Sequence, residues 1–186
     1  LKSFDFAVAN PPFSNKNWTS GLDAEHDEFG RFVWGVPPEK NGDYAFLLHM
    51  LKSLKSTGKA AVILPHGVLF RGGAEGSIRT RLIQQGVIKA IIGLPANLFY
   101  GTGIPACIIV LDKAGAAGRK GIFMVDASKG FIKAGMAGSV AEPIKMPTIA
   151  KTKVPGWPAN QGATRRSLCH KESDVAVVSG WIMDDL

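Results

Sequence analysis

The run Phe4-Asp5-Phe6-Ala7-Val8-Ala9 passes without a spacer into Asn10-Pro11-Pro12-Phe13, and no other junction constrains the fold as tightly. A short apolar run rich in β-forming residues and bounded by prolines reads as a buried strand. Proline has no N–H to give a ladder, and two in succession fix φ twice, so the strand ends at Ala9. The chain thereby delivers an asparagine, two stiff carbonyls and an aromatic ring to the carboxyl end of a strand. Ligands of open α/β sheets bind outside that end. Nothing precedes the strand to pair with it, and the expectation is an excised fragment or a chain whose upstream half is lost.

After Phe13 come the 29 residues Ser14 to Gly42, without sustained periodicity. A segment that long is functional or disordered more often than a plain connector. Beside the Asn-Pro-Pro-Phe turn, carrying Trp18, Arg31 and Trp34, it is expected to be a lid or DNA-facing loop that orders when DNA binds. Asp43 is placed to cap a helix with the stripe Phe46, Leu47, Met50, Leu51 and Leu54, ended by Gly58. A strand over Lys59 to Leu64 stops at Pro65. The turn Arg71-Gly72-Gly73 leads to a helix near Glu75–Gln85 that closes at Gly86. Apolar runs follow at Val87–Leu94, Ala106–Leu111 and Ile122–Val125. Strands alternating with amphipathic helices predict an α/β fold, a largely parallel sheet with helices on both faces. The last two runs have no helix between them and are expected to form an antiparallel hairpin at one edge. From about Gly135, prolines 143, 147, 155 and 158 interrupt every element. Residues 135–186 read as a mostly irregular tail, with a possible short strand at Val175–Val178.

Twenty-two Lys and Arg against 15 Asp and Glu leave a charge of +7, which favours a polyanionic partner. It is concentrated: residues 44–134 hold twelve bases and three acids, residues 14–43 three bases and six acids. The basic block suits contact with a phosphate backbone, or keeps a surface soluble. No apolar run reaches the ~18 residues of a membrane span. Two cysteines, Cys107 and Cys169, are too few for a disulfide scaffold or a cysteine zinc site. The expectation is a cytoplasmic, reducing environment with no membrane and no metal.

The turn has a chemistry of its own. The exocyclic amine of a nucleobase is a weak nucleophile because its lone pair is delocalised into the ring. Two acceptors aimed at its hydrogens draw the nitrogen toward tetrahedral geometry and stabilise the positive charge that develops in attack. The Asn10 side-chain oxygen and the Pro11 carbonyl are such a pair, and Pro12 keeps the backbone from turning away. Phe13 offers a flat face to a base that has left the helix. The alternative is a strand that ends in a Pro-Pro turn with Asn10 satisfying loop backbone.

The segment Phe4–Phe13 resembles motif IV of the amino-group DNA methyltransferases. More narrowly, the chain resembles the modification subunit of type I restriction–modification systems. Three further segments carry the likeness: Asp43-Tyr44-Ala45-Phe46 with His49, Ala61 through Gly73, and Ile92 through Pro105. It runs from Phe4 to about Gly130. It implies a partial Rossmann-like sheet of the class I S-adenosylmethionine-dependent methyltransferases, with 1–134 as the C-terminal half of the catalytic domain. The implied reaction is methyl transfer from S-adenosylmethionine to N6 of adenine in DNA. The implied partners are DNA, a sequence-specificity subunit and a nuclease–translocase restriction subunit. The catalytic residues carried over are Asn10, Pro11, Pro12 and Phe13; Phe99, Tyr100, Arg31 and Arg71 are expected at the substrate, with Phe99 and Tyr100, in the turn before Gly101-Thr102-Gly103, either the opposite wall of an adenine pocket or only caps on the core. Asn10 is also expected near the cofactor, whose glycine-rich loop the family places upstream of this turn. Arg71-Gly72-Gly73 follows the second strand and lacks that loop's spacing. Protein-glutamine or ribosomal-RNA guanine methyltransferases, which share an Asn-Pro-Pro-aromatic element, and a non-catalytic DNA-binding fragment are the competing readings. His49 and His66 read first as structural, Arg79 and Arg81 as phosphate contacts or solvated charges, and Cys107 as inert core.

Overall fold

The computed structural model describes residues 1–99, 102–129 and 175–178. Among the described residues, six strands form one sheet: β1 (Phe4–Ala9), β2 (Leu54–Pro65), β3 (Ile88–Gly93), β4 (Ala106–Asp112), β5 (Phe123–Asp126) and β6 (Val175–Val178), in the order β5-β3-β4-β2-β1-β6. Five strands run the same way; β4 alone is reversed, pairing antiparallel with both β2 and β3. The α/β class is as expected. The edge hairpin is not: β4 lies inside the sheet, and β5 pairs parallel with β3 rather than with β4. Of the expected tail, only Val175–Val178 falls among the described residues, as a strand parallel to β1.

Helix α1 (Asp43–Lys52) and helix α2 (Gly73–Gln84) cover one face. Ala7, Ala9, Ala60, Val62, Leu64, Ile109 and Leu111 of the strands are buried there with Leu47, Leu48 and Leu51 of α1 and Ile78 and Leu82 of α2. Alternation along each strand puts Phe6, Val8, Ala61, Ile63, Ile108 and Val110 on the opposite face, half-buried or exposed. Both described α-helices thus lie on one side of the sheet, where helices on both were expected.

The helix α1 is shorter than its stripe suggested. It ends at Lys52, and Leu54 belongs to β2, paired with Phe4. Between Phe4 and Phe6 the partner on β2 jumps from Leu54 to Lys59, a break in register. Gly58 lies in that break, where a Cβ would stand 2.9 Å from the Phe4 carbonyl oxygen. It is a close-approach glycine inside a strand, not a helix stop. Gly86, with φ +67°, does close α2, its N–H donating to the Ile83 carbonyl.

The 14–42 segment is built into the fold. Trp18 is 3% exposed, sits edge-on to Phe32 and donates its indole N–H to the Pro38 carbonyl at 2.9 Å. Trp34 donates to Gln85 at 2.6 Å, and Arg81 donates to the Trp34 carbonyl. Among the described residues, no helix is long and apolar enough to cross a membrane.

Candidate active site

The common direction of β1, β2 and β3 brings their carboxyl ends to one edge of the sheet. Asn10 leaves β1 there and is exposed; Pro11 is buried, Pro12 exposed and Phe13 half-buried. The Phe13 ring meets Phe99 edge to face, centroids 5.6 Å apart. The turn after β3 therefore places a second aromatic ring beside the Asn-Pro-Pro-Phe turn. Tyr100 lies outside the described residues. His66 follows β2 at the same end: its N–H donates to Pro105, and its Nε2 is 3.9 Å from where a Cβ on Gly93 would be.

Two arginines expected at the substrate are committed elsewhere. Arg31 is 4% exposed, forks onto Asp27 Oδ1 at 2.6 and 2.9 Å and lies over the Phe29 and Phe32 rings. Burial pushes the Asp27 carboxyl up, but the bonds from Arg31 more than offset this and hold it below the ordinary value. Arg71 donates to Asp43 Oδ2 at 2.6 Å and to both carboxylate oxygens of Glu75. Hydrogen bonding to Glu75 and then Asp43 raises its pKa against the opposing effect of burial. Both arginines have an acid four residues away, the spacing that brings opposite charges together on a helical turn, and that was the signal in the sequence.

Asp43 also has a different role from the expected cap. The helix N-cap is Gly42, without a side-chain bond. The Asp43 carboxylate, fully buried, instead accepts from the Ser14 N–H at 2.7 Å. Part of the basic block lies away from the turn. Lys55, Lys59, Lys89 and Lys113 lie toward the amino ends of the parallel strands, opposite Asn10. Lys55 pairs with Asp5 at 2.6 Å, and Lys89 and Arg119 pair with Asp112. These bases do not converge on the Asn-Pro-Pro-Phe turn.

Two cavities open elsewhere. One of about 190 Å³ lies between α2 and β3, lined by Leu47, Ile83, Ile91 and Ile109 among others; the second, about 20 Å³, lies beside Trp18 and His49. Asn10 and Phe13 line neither of these. No cluster of candidate metal ligands occurs among the described residues.

The profile of the N-6 DNA methylase family matches residues 1–153. The chain is 36% identical over 135 residues to the methylase subunit of the type I restriction enzyme HindI from Haemophilus influenzae, covering 71% of this chain and 29% of that protein. The MpnII methylase subunit from Mycoplasma pneumoniae is 36% identical over 132 residues, 70% of this chain and 24% of the relative. Among solved structures, the methyltransferase subunit of a type I restriction–modification system from Streptococcus thermophilus superposes with a TM-score of 0.62 at 42% identity, over 72% of this chain and 28% of that one. The chain spans less than a third of the length of each of these proteins. The match takes in β1, its Asn-Pro-Pro-Phe turn and both helices, and the chain belongs to the N-6 DNA methylase family.

Proposed function

We propose that this chain carries the methyl-accepting half of an N6-adenine DNA methyltransferase site, as part of the modification subunit of a type I restriction–modification system. The observation that carries the reading is the exposed Asn10 at the carboxyl end of β1, with Phe13 and Phe99 forming an aromatic corner beside it. An adenine swung out of DNA stacks on Phe13. Its amine donates one hydrogen to the Asn10 oxygen and the other to the Pro11 carbonyl. Those two acceptors localise the nitrogen lone pair and stabilise the charge it acquires. Buried Pro11 and the fixed φ of Pro12 hold the acceptors without a reorganisation cost at the moment of attack.

S-adenosylmethionine would supply the methyl group as an electrophilic sulfonium. The described residues fit the acceptor side of that chemistry and not the donor's holder. Their glycine pair at the start of a helix, Gly72-Gly73, opens α2 after β2 rather than following β1, and has open space around it rather than a formed cradle. DNA, a specificity subunit and a nuclease–translocase subunit are the proposed partners, from the resemblance to type I modification subunits; the relatives themselves are methylase subunits of type I restriction enzymes.

The test is a single-stranded oligonucleotide with one 2-aminopurine, titrated into the 186-residue chain. Stacking on Phe13 quenches its fluorescence, and Phe13→Ala weakens binding by about 1–3 kcal/mol. Equal quenching and affinity in Phe13→Ala would overturn the reading. In an assembled modification subunit carrying this segment, Asn10→Ala abolishes transfer of labelled methyl to DNA while the circular dichroism spectrum is kept. Unchanged turnover removes Asn10 from the mechanism.

A further inference from the structure

Ser14 directly follows Phe13 and has φ +51°, a left-handed conformation that residues other than glycine rarely adopt. What holds it comes from across the fold. Its N–H donates to Asp43 Oδ1 at 2.7 Å, and its hydroxyl lies 3.5 Å from Oδ2. The same Oδ2 accepts from Arg71 Nη2 at 2.6 Å, and Arg71 forks onward to Glu75, which is also buried. Asn41 fixes the start of α1 by accepting from the Asp43 N–H at 3.1 Å. The guanidinium reaches these acids by lying against Gly67, where any Cβ would collide with it. Three segments that carry the resemblance, Phe4–Phe13 through the adjoining Ser14, 43–46 and 61–73, are therefore joined at one buried carboxylate.

The arrangement has a direct mechanical reading. The Asn-Pro-Pro-Phe turn is fixed at its start by β1 and through Pro11 and Pro12 by their rings. Beyond Phe13, its next anchor is the Ser14 N–H. A hydrogen bond to an ionised acceptor is roughly twice as strong as a neutral one, so Asp43 is suited to hold that end. The geometry points to Asp43 as a positioning residue: through Ser14 it sets the Phe13 ring against Phe99, with Arg71 keeping its carboxylate oriented. This rests on the base-stacking reading of the site.

The experiment uses the full chain with three readouts: the Ser14 amide proton shift, the nuclear Overhauser effect between the Phe13 and Phe99 rings, and affinity for the 2-aminopurine strand. Asp43→Asn keeps the shape but leaves one carbonyl oxygen where a carboxylate served both Ser14 and Arg71. It is expected to move the Ser14 amide upfield, abolish the ring–ring effect and weaken the strand about tenfold. Asp27→Asn removes a buried carboxylate paired to Arg31 and not to the turn. It is expected to lower the urea midpoint and leave all three readouts in place. If Asp43→Asn fails to fold, Arg71→Lys, a point charge that cannot fork between Asp43 and Glu75, is expected to disturb the same readouts in the same direction. Retention of the ring contact and amide shift in the folded variant, or equal losses in Asp27→Asn, overturns the proposal. If the wild-type chain ignores the 2-aminopurine strand, the stacking reading fails by itself, and the two magnetic-resonance readouts still decide whether Asp43 sets Phe13.

Discussion

Replacing Arg71 by methionine keeps most of the stem and removes the charge. The side chains of Asp43 and Glu75 are 0% and 3% exposed, and that of Arg71 is 29%. At charge separations near 4 Å and an effective dielectric constant of about 20, each attraction is worth about 4 kcal/mol before desolvation. Removing one partner of a buried ion pair costs about 3–5 kcal/mol, because the remaining charge is left uncompensated. Here two acids are left facing each other, but water reaches the Arg71 side, so a loss of about 2–4 kcal/mol is expected. Urea unfolding followed by far-ultraviolet circular dichroism measures it. Adding Glu75→Gln on the Arg71→Met background is expected to restore about half, because one of the stranded charges is gone; the cycle should show a coupling above ~1 kcal/mol. A single variant within about 0.5 kcal/mol of wild type, or a double variant weaker than the single, refutes this account of the cluster.

Further outcomes follow from other positions. Burial, then the Arg31 charge, lower the His49 pKa from 6.5 to about 4. As pH falls, the unfolded chain takes up that proton first. Stability fully present above pH ~6.5 is therefore lost toward pH ~4, by up to about 3 kcal/mol, and His49→Gln should flatten this slope in pH-dependent urea melts. A Cβ on Gly42 would come within 2.7 Å of the Trp18 Cβ. Gly42→Ala is accordingly expected to destabilise by about 1–3 kcal/mol and to red-shift tryptophan emission; an unchanged spectrum and midpoint contradict the packing described. Isothermal titration of the 186-residue chain with S-adenosylmethionine should show weak binding or none, and micromolar affinity would mean that the donor is held by residues other than those discussed.

What the sequence disclosed depended on whether the signal was local. The end of β1 was legible because Pro11 and Pro12 cannot continue a ladder. Helix α2 was legible because Gly86 closes it in a conformation suited to glycine. The reversal of β4 was not, since an apolar run such as Ala106–Leu111 carries no mark of direction, and a strand buried at the centre looks like one at an edge. The stripe through Leu54 misled because one more apolar residue at helical spacing also suits the first position of a strand, and Phe4 is there to pair with it. At the site, Asn10, Phe13 and Phe99 could be placed from strand ends and turns. Arg31 and Arg71 each had a local sign in an acid four residues away, but the burial that commits them to those acids arises only from tertiary packing. The 14–42 segment looked unanchored because Trp18 and Phe32 find partners in tertiary space and leave no periodicity behind.

Cys107 lies in β4, the strand that bridges the two parallel parts of the sheet, and is wholly inaccessible with its thiol pushed up to about 11 by burial. A thiolate is the species that reacts with alkylating or disulfide reagents, and here it is suppressed twice, by occlusion and by acidity. Modification at that sulfur must therefore await separation of β4 from its neighbours. The residue is a built-in clock for rupture of the central strand, deaf to fraying at either edge.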